Sequence, residues 1–348
     1  MKMKKQFLAL MLLLSFTALL LACKKTKPTP TPIPPTDTVF FAKGADISWV
    51  TEMEASGKRF YNSAGVETEC IALLKSLGMN TIRLRVWVNP ANAWNNVSDV
   101  VAKAVRAKNA GMRVMIDFHY SDTWADPGAQ TKPAAWAGLD FAGLKSALAN
   151  HTTNVLSQIK NAGVTPDWVQ IGNETNNGML WPDGQANINM SNFAALINAG
   201  YDATKAVFAN AKVIVHISNG YDNNLFRWVF DGLKTNGAKY DVIGMSLYPS
   251  YSASGWSTVN QQCLTNMNDM VARYNKEVMV VEVGMPWDQA STCNSFIADL
   301  ITKVKAVTNK KGLGVLYWEP QCYANWNGYT LGAFDNSGKP TIALNAFQ

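Results

Sequence analysis

The chain has 348 residues, with 31 Lys and Arg against 25 Asp and Glu and a formal net charge of +6. It is 48% apolar and only 16% charged, which excludes disorder for most of its length. Its basic residues are scattered, which argues against a nucleic-acid partner, and three His are too few for a histidine-rich metal centre.

Residues 1–22 read as an export signal. Lys2, Lys4 and Lys5 precede an apolar run from Phe7 to Ala22. At roughly 16 residues the run is short for a membrane span of about 20 and suits a signal core. Its end, Leu20-Leu21-Ala22-Cys23, has the form of a bacterial lipobox, in which the Cys is acylated and becomes the new N-terminus. An ordinary secretory signal with a coincidental Cys is the alternative. Residues 23–38 are rich in Pro and Thr. At roughly 3.1 Å per residue they make a stiff tether of about 45 Å. A catalytic domain is expected over residues 39–348.

From Val39 onward, short β-branched runs alternate with helix-compatible stretches. The expected strands cover residues 39–48, 81–88, 113–120, 167–174, 212–218, 241–249, 277–284 and 314–320. The stretches between them carry apolar residues at three- and four-residue spacing, and several stop at Gly, as VSDVVAKAVRAKNAG does. Eight such alternations imply a parallel sheet covered on both faces, which explains its continuously apolar strands. An open doubly wound sheet would carry a Gly-rich phosphate loop after an early strand, and the sequence has none. The fold class expected is α/β, a single (β/α)8 TIM barrel.

Asp46, Trp87, His119, Asn173, Glu174, His216, Tyr248, Glu282 and Trp318 all fall near the C-terminal ends of expected strands. A barrel gathers those ends on one rim, where its active sites are built. Glu174 and Glu282 end the fourth and seventh strands, on opposite sides of the ring. Two carboxyls converging there are the minimum machinery for glycoside hydrolysis; for either alone, a salt bridge is the plainer reading. Arg83, Arg85 and Trp87 alternate on the second strand and share one face. An inward Arg83 would keep a nucleophile ionised, whereas Arg85 reads equally well as half of a structural ion pair. His119 and His216 are read as hydrogen-bond donors to sugar hydroxyls or to the catalytic groups, and Tyr248 as a donor to the nucleophile. His151, mid-helix among polar residues, is given no role. The loop after the third strand supplies Asp122, Trp124 and Asp126, and Trp181, Trp287 and Trp318 follow other strands. Such rings suit the flat C–H faces of sugars. Trp168 and Trp228 are expected in the core. Cys70 is expected as a buried thiol. Cys293 and Cys322 follow neighbouring strands, where a bridge is permitted. The absence of a Cys-x-x-Cys pair disfavours a thiolate zinc site.

The blocks KGADISW, NTIRLRVWVNP, DFHYSDTWADPGAQTKPAAW, VQIGNETNNGMLWPDG, VIVHISNGYD, GMSLYPSY, VMVVEVGMPW and GVLYWEP run in order from Lys43 to Pro320. Together they closely resemble glycoside hydrolase family 53, the endo-β-1,4-galactanases. The resemblance implies an endo-acting, retaining enzyme with Glu174 as acid/base and Glu282 as nucleophile. It places Arg83, His119, Asn173, His216, Tyr248 and Trp318 around the cleaved sugar and Asp122 and Trp124 along the donor-side groove; Asp46 and Trp87 join the binding set from their rim positions. No cofactor is expected. Some relatives hold calcium in long acidic loops after strands 7 and 8, but the short GMPWDQASTCNSF stands here instead. The implied substrate is β-1,4-galactan of type I arabinogalactan. Spacing alone does not separate this from mannan, xylan or glucan. A non-catalytic glycan-binding lipoprotein is the other class, and the presence of both carboxylates weighs against it. The chain is expected to act as a monomer that meets a membrane only through its anchor. Because the polymer is too large to cross an outer membrane, the cell surface is the expected site and the periplasmic face the alternative.

Overall fold

The computed structural model describes residues 40–348. The expected signal, Cys23 and tether lie outside the described residues. Parallel strands run over Ala42–Asp46 (β1), Thr81–Val86 (β2), Arg113–Phe118 (β3), Trp168–Ile171 (β4), Lys212–Ile217 (β5), Val242–Leu247 (β6), Glu277–Val283 (β7) and Gly312–Trp318 (β8). They close into a barrel in the order β1-β8-β7-β6-β5-β4-β3-β2. The helices are Val50–Ala55 (α1), Cys70–Ser76 (α2), Val97–Asn109 (α3), Phe141–Asn161 (α4), Met190–Val207 (α5), Asn223–Thr235 (α6), Trp256–Tyr274 (α7) and Ala290–Lys305 (α8). The first crossover thus holds two short helices. After β8, the 3₁₀ turn Ile342–Phe347 takes the place of an eighth crossover helix and buries Phe347 completely.

Local chemistry sets where these helices start and which face they bury. Asn96, Asp140, Asn189 and Asp222 cap α3, α4, α5 and α6 by accepting a backbone N–H three residues on. The α6 face toward the barrel is Phe226, Val229, Phe230 and Leu233, at helical spacing. Trp228 lies off that stripe and is 44% exposed, so the expectation of a core Trp228 is corrected; Trp168 is buried as expected.

Inside the barrel, Ala42, Met115, Trp168, Ile214, Val242, Met279, Val281 and Leu316 pack as an apolar floor. Two residues further along three of these strands, on the same inward face, stand Asp117, Gln170 and His216, all fully buried. The change from apolar to charged lining within one pleat separates floor from site. On β7 the register slips by one residue against both neighbours, so that Ser246 of β6 faces Glu282. Met279 and Val281 point inward, and strict alternation would next turn Val283 in. The extra residue lets Glu282 project into the barrel, while Val283 packs with the outer core.

Cys70, Cys263, Cys293 and Cys322 are free and buried. Cys293 Sγ faces the Tyr317 hydroxyl at 3.7 Å and Cys322 Sγ faces Met53 Sδ at 3.9 Å, so the permitted bridge is not made. His151 is not among polar residues as read from the helix. Its ring meets Phe118, Tyr120 and Trp136 edge-on, and burial pushes its pKa down to about 4.

Candidate active site

The mouth is organised by Arg83, fully buried on β2. Its guanidinium lies 2.8 Å from Asp46 Oδ2, 2.9 Å from Asp117 Oδ2 and 2.9 Å from Glu282 Oε1. It also donates to Gln170 Oε1 and Asn173 Oδ1. Charges stripped of water are tolerated only when closely paired, and the planar five-donor fork of Arg satisfies several acceptors at once. Against the effect of burial, Arg83 and His119 hold the Asp117 carboxyl below its ordinary value.

Glu282 has one hydrogen-bond donor and one ion partner. Tyr248 Oη donates to Oε2 at 3.2 Å, and Arg83 faces Oε1 as an ion partner. Glu174 follows β4 through Gly172 (φ 81°) and itself takes φ 43°, a left-handed conformation that residues with a side chain rarely adopt. The turn is held by the Thr175 N–H, which donates to His216 O at 2.9 Å, and by Gln130 Nε2, which donates to Asn173 O at 2.8 Å. The Glu174 carboxylate has one side-chain donor, Ser246 Oγ, at 2.6 Å from Oε1. Burial raises both carboxyls, opposed at Glu282 chiefly by Arg83 and at Glu174 by Ser246. A guanidinium and a phenol stabilise negative charge better than one hydroxyl does, so the pair keeps its charge on Glu282 and its proton on Glu174.

The two carboxyls line a hollow of about 170 Å³ together with His119, Trp124, Asn173, Tyr248, Tyr251 and Trp318. A second hollow of about 590 Å³ shares Trp124 and Trp318 with it and continues over Trp49, Trp87, Asp122 and Tyr329. The Arg85 guanidinium sits 4.3 Å from the Trp124 ring centre, and the Trp49 and Trp87 rings meet Trp124 edge-on at 5.4 and 5.2 Å. A buried cation against one aromatic face fixes the ring's pose.

The structure redistributes several expected roles. Asp46, expected at the sugar, is fully buried; its oxygens accept from Arg83 Nη1 and from the Ser48 N–H and Oγ, so it positions Arg83. Arg83 is equally inaccessible and acts through Glu282 and Asn173. Neither His has a free donor for a sugar. His119 Nε2 faces Asp117 Oδ2 at 3.0 Å, while Nδ1 accepts the Ala125 N–H at 3.2 Å; burial lowers its pKa, and the neutral ring lines the mouth. His216 is wholly buried, with Nε2 2.8 Å from Ser246 Oγ. Asp122 edges the groove, its oxygens accepting the Asn89 and Ala134 N–H groups at 2.9 Å. Arg85 makes the structural pair, 3.4 Å from the buried Glu319. Trp181 donates its ring N–H to Asn177 O and, like Trp287, lines neither hollow.

A family model, "Glycosyl hydrolase family 53", matches residues 42–347. The chain belongs to that family. The chain is 35% identical to an arabinogalactan endo-beta-1,4-galactanase of Thermothelomyces thermophilus, over 88% of this chain and 98% of the relative. It is 33% identical to one of Cellvibrio japonicus, over 89% and 90% of the two chains. A solved fungal β-1,4-galactanase superposes with a TM-score of 0.82 at 34% identity, covering 88% of this chain and 98% of that one. Around the mouth stand residues that sequence reading passed over: Asp117, Gln170, Ser246 and Glu319. The first three share a signal, since each is a polar residue inside an apolar strand at an even spacing from an inward neighbour.

Proposed function

We propose that the protein hydrolyses internal β-1,4-galactosidic bonds of galactan with retention of configuration, through Glu282 as nucleophile and Glu174 as acid/base. The observation that carries the roles is that, of two buried carboxyls sharing one hollow, Glu282 has a guanidinium beside its phenol donor and Glu174 has a single hydroxyl. A Glu282 oxygen attacks the anomeric carbon as the bond to the leaving oxygen breaks, and the Glu174 proton passes to that oxygen. The Glu174 carboxylate then takes a proton from water as the water oxygen attacks the same carbon and frees Glu282. Direct attack of this kind calls for carboxyls about 5–5.5 Å apart. The choice of galactan is supported by the galactanase relatives named above, and the aromatic groove beside the mouth supports a sugar polymer. Proton NMR of the first products tests the route: the β-anomer is expected first, and initial α-anomer overturns it. Glu174→Gln and Glu282→Gln should each lower turnover by several orders of magnitude with the far-ultraviolet spectrum unchanged.

Acylation at Cys23 and display at the outer cell surface belong to the same proposal, supported by the lipobox and by the size of the polymer. Labelled palmitate should enter the full chain and not its Cys23→Ala variant, and surface proteolysis of intact cells should release the barrel domain.

A further inference from the structure

Six of the 31 Lys and Arg and one of the 25 Asp and Glu precede Phe40, so the barrel domain is almost neutral. Its charge is nonetheless sorted along the barrel axis. Each helix from α2 to α8 carries Lys or Arg in its last turn, at the end opposite the catalytic mouth. Three carboxylates that start or precede strands at that end, Asp167, Asp241 and Glu277, are already ion-paired to Arg113, Lys205 and Lys212. Lys75, Lys108, Lys160, Lys234, Lys305 and Lys310 are exposed there and pair with no carboxylate among the described residues.

Helix geometry explains part of this. Cations near helix C-termini complement the dipole and cap carbonyls. Lys75 and Lys160 do so, donating to Ala110 O and Val207 O. Lys108, Lys234, Lys305 and Lys310 reach no such acceptor among the described residues, so helix capping does not account for their shared face. The same face is where the chain enters the barrel. Phe40, 53% exposed, leads into β1 there with the Arg113 guanidinium 5.0 Å from its ring centre, and Lys305 covers the Phe41 ring at 5.1 Å. The stretch from Cys23 to Phe40 spans about 50 Å at most when extended as polyproline, so an anchor at Cys23 would keep this end of the barrel near the lipid.

We propose that the basic end of the barrel rests on an anionic phospholipid surface, with the catalytic mouth turned away from it. The placement rests on the anchoring reading above; the affinity of the face does not. Residues 39–348 form one compact unit holding the whole barrel and its core, so this part is tested alone. It should sediment with phosphatidylcholine vesicles containing phosphatidylglycerol, not with pure phosphatidylcholine, and release at high salt. Lysines near such a surface contribute about fivefold each, so combining Lys108→Gln, Lys234→Gln and Lys305→Gln should weaken binding about 100-fold. Hydrolysis of soluble galactan by that variant should be unchanged. Lys58→Gln, Lys145→Gln and Lys339→Gln, toward the mouth, should leave vesicle binding nearly intact. Equal binding to both vesicle types, or an equal loss in the second triple variant, would overturn the proposal. Absence of palmitate on the full chain would overturn the anchor and leave this assay as it is.

Discussion

One hydroxyl stands between Glu174 and His216. Ser246 Oγ lies 2.6 Å from Glu174 Oε1 and 2.8 Å from His216 Nε2. His216 Nδ1 faces two donors, Gln170 Nε2 and the Glu174 N–H, and one acceptor, Asn173 Oδ1 at 3.0 Å; because Asn173 Oδ1 already accepts from Arg83 and Gln170, Nδ1 is assigned as the acceptor and the ring proton to Nε2. Ser246 therefore accepts from His216 and donates to Glu174, favouring the ionised carboxylate against the effect of burial. Ser246→Ala should raise the Glu174 pKa and move the alkaline limb of kcat/KM upward. A hydrogen bond to a charged group is worth about 1.5–3 kcal/mol, so the shift should be about one pH unit or more. A downward shift would mean that the chain of donors runs the other way. Trp124→Ala should weaken long galactan chains more than it slows a short substrate, because the ring belongs to both hollows; equal effects on both substrates would count against a groove. Residues at strand ends were legible in the sequence because they interrupt apolar runs at one end. Ser246 and Gln170 carry a fainter signal, since a small or neutral polar residue inside a strand becomes informative once the inward face is known.

Strands were legible as elements because a sheet buried on both faces leaves an unbroken apolar record. Their far ends were overread. The fourth, expected to residue 174, stops at Ile171, and the third, expected to 120, stops at Phe118. In both places the chain turns left-handed, at Gly172 and Glu174 and again at Tyr120, so the functional residues have left the sheet. The slip on β7 had no signature at all, because Val280, Val281 and Val283 are alike and only pairing with β6 and β8 reveals the extra residue. Close strand approach carries its own test. A Cβ on Gly44 would lie 2.1 Å from the Thr81 carbonyl oxygen and 2.8 Å from Leu316, both in the barrel wall. Gly44→Ala should cost about 1–3 kcal/mol or more by overpacking and lower the melting temperature. Gly138→Ala, with open space around it, should leave the melting temperature unchanged.

At the scale of the whole molecule, stability should vary with pH because several buried groups titrate far from their ordinary range. Burial raises Glu174, and it raises Glu319 to about 8. Unfolded glutamates release their protons near pH 4.3, so above that value the unfolded state binds fewer protons and stability falls until the folded pKa is passed. Burial depresses His119 and His216 instead, which costs stability as pH drops below about 6.5. From about 6.5 to 8 the glutamates act without that opposition, so the melting temperature should decline across this interval. Glu319→Gln should flatten the decline, whatever it does to the value at any single pH; an unchanged slope would remove Glu319 from this account.

The apolar floor under the charged layer has a consequence for how a polymer is met. Met115, Trp168, Ile214, Met279 and Leu316 plug the barrel, which makes it a blind well with no passage to the other side. A polysaccharide cannot thread through it. In the function proposed above it lies crosswise over the opening, with one bond lowered toward Glu174 and Glu282 and the strand running on over Trp124 toward Trp49. Such a seat takes hold of a polymer anywhere along its length, and cuts it there without ever meeting an end.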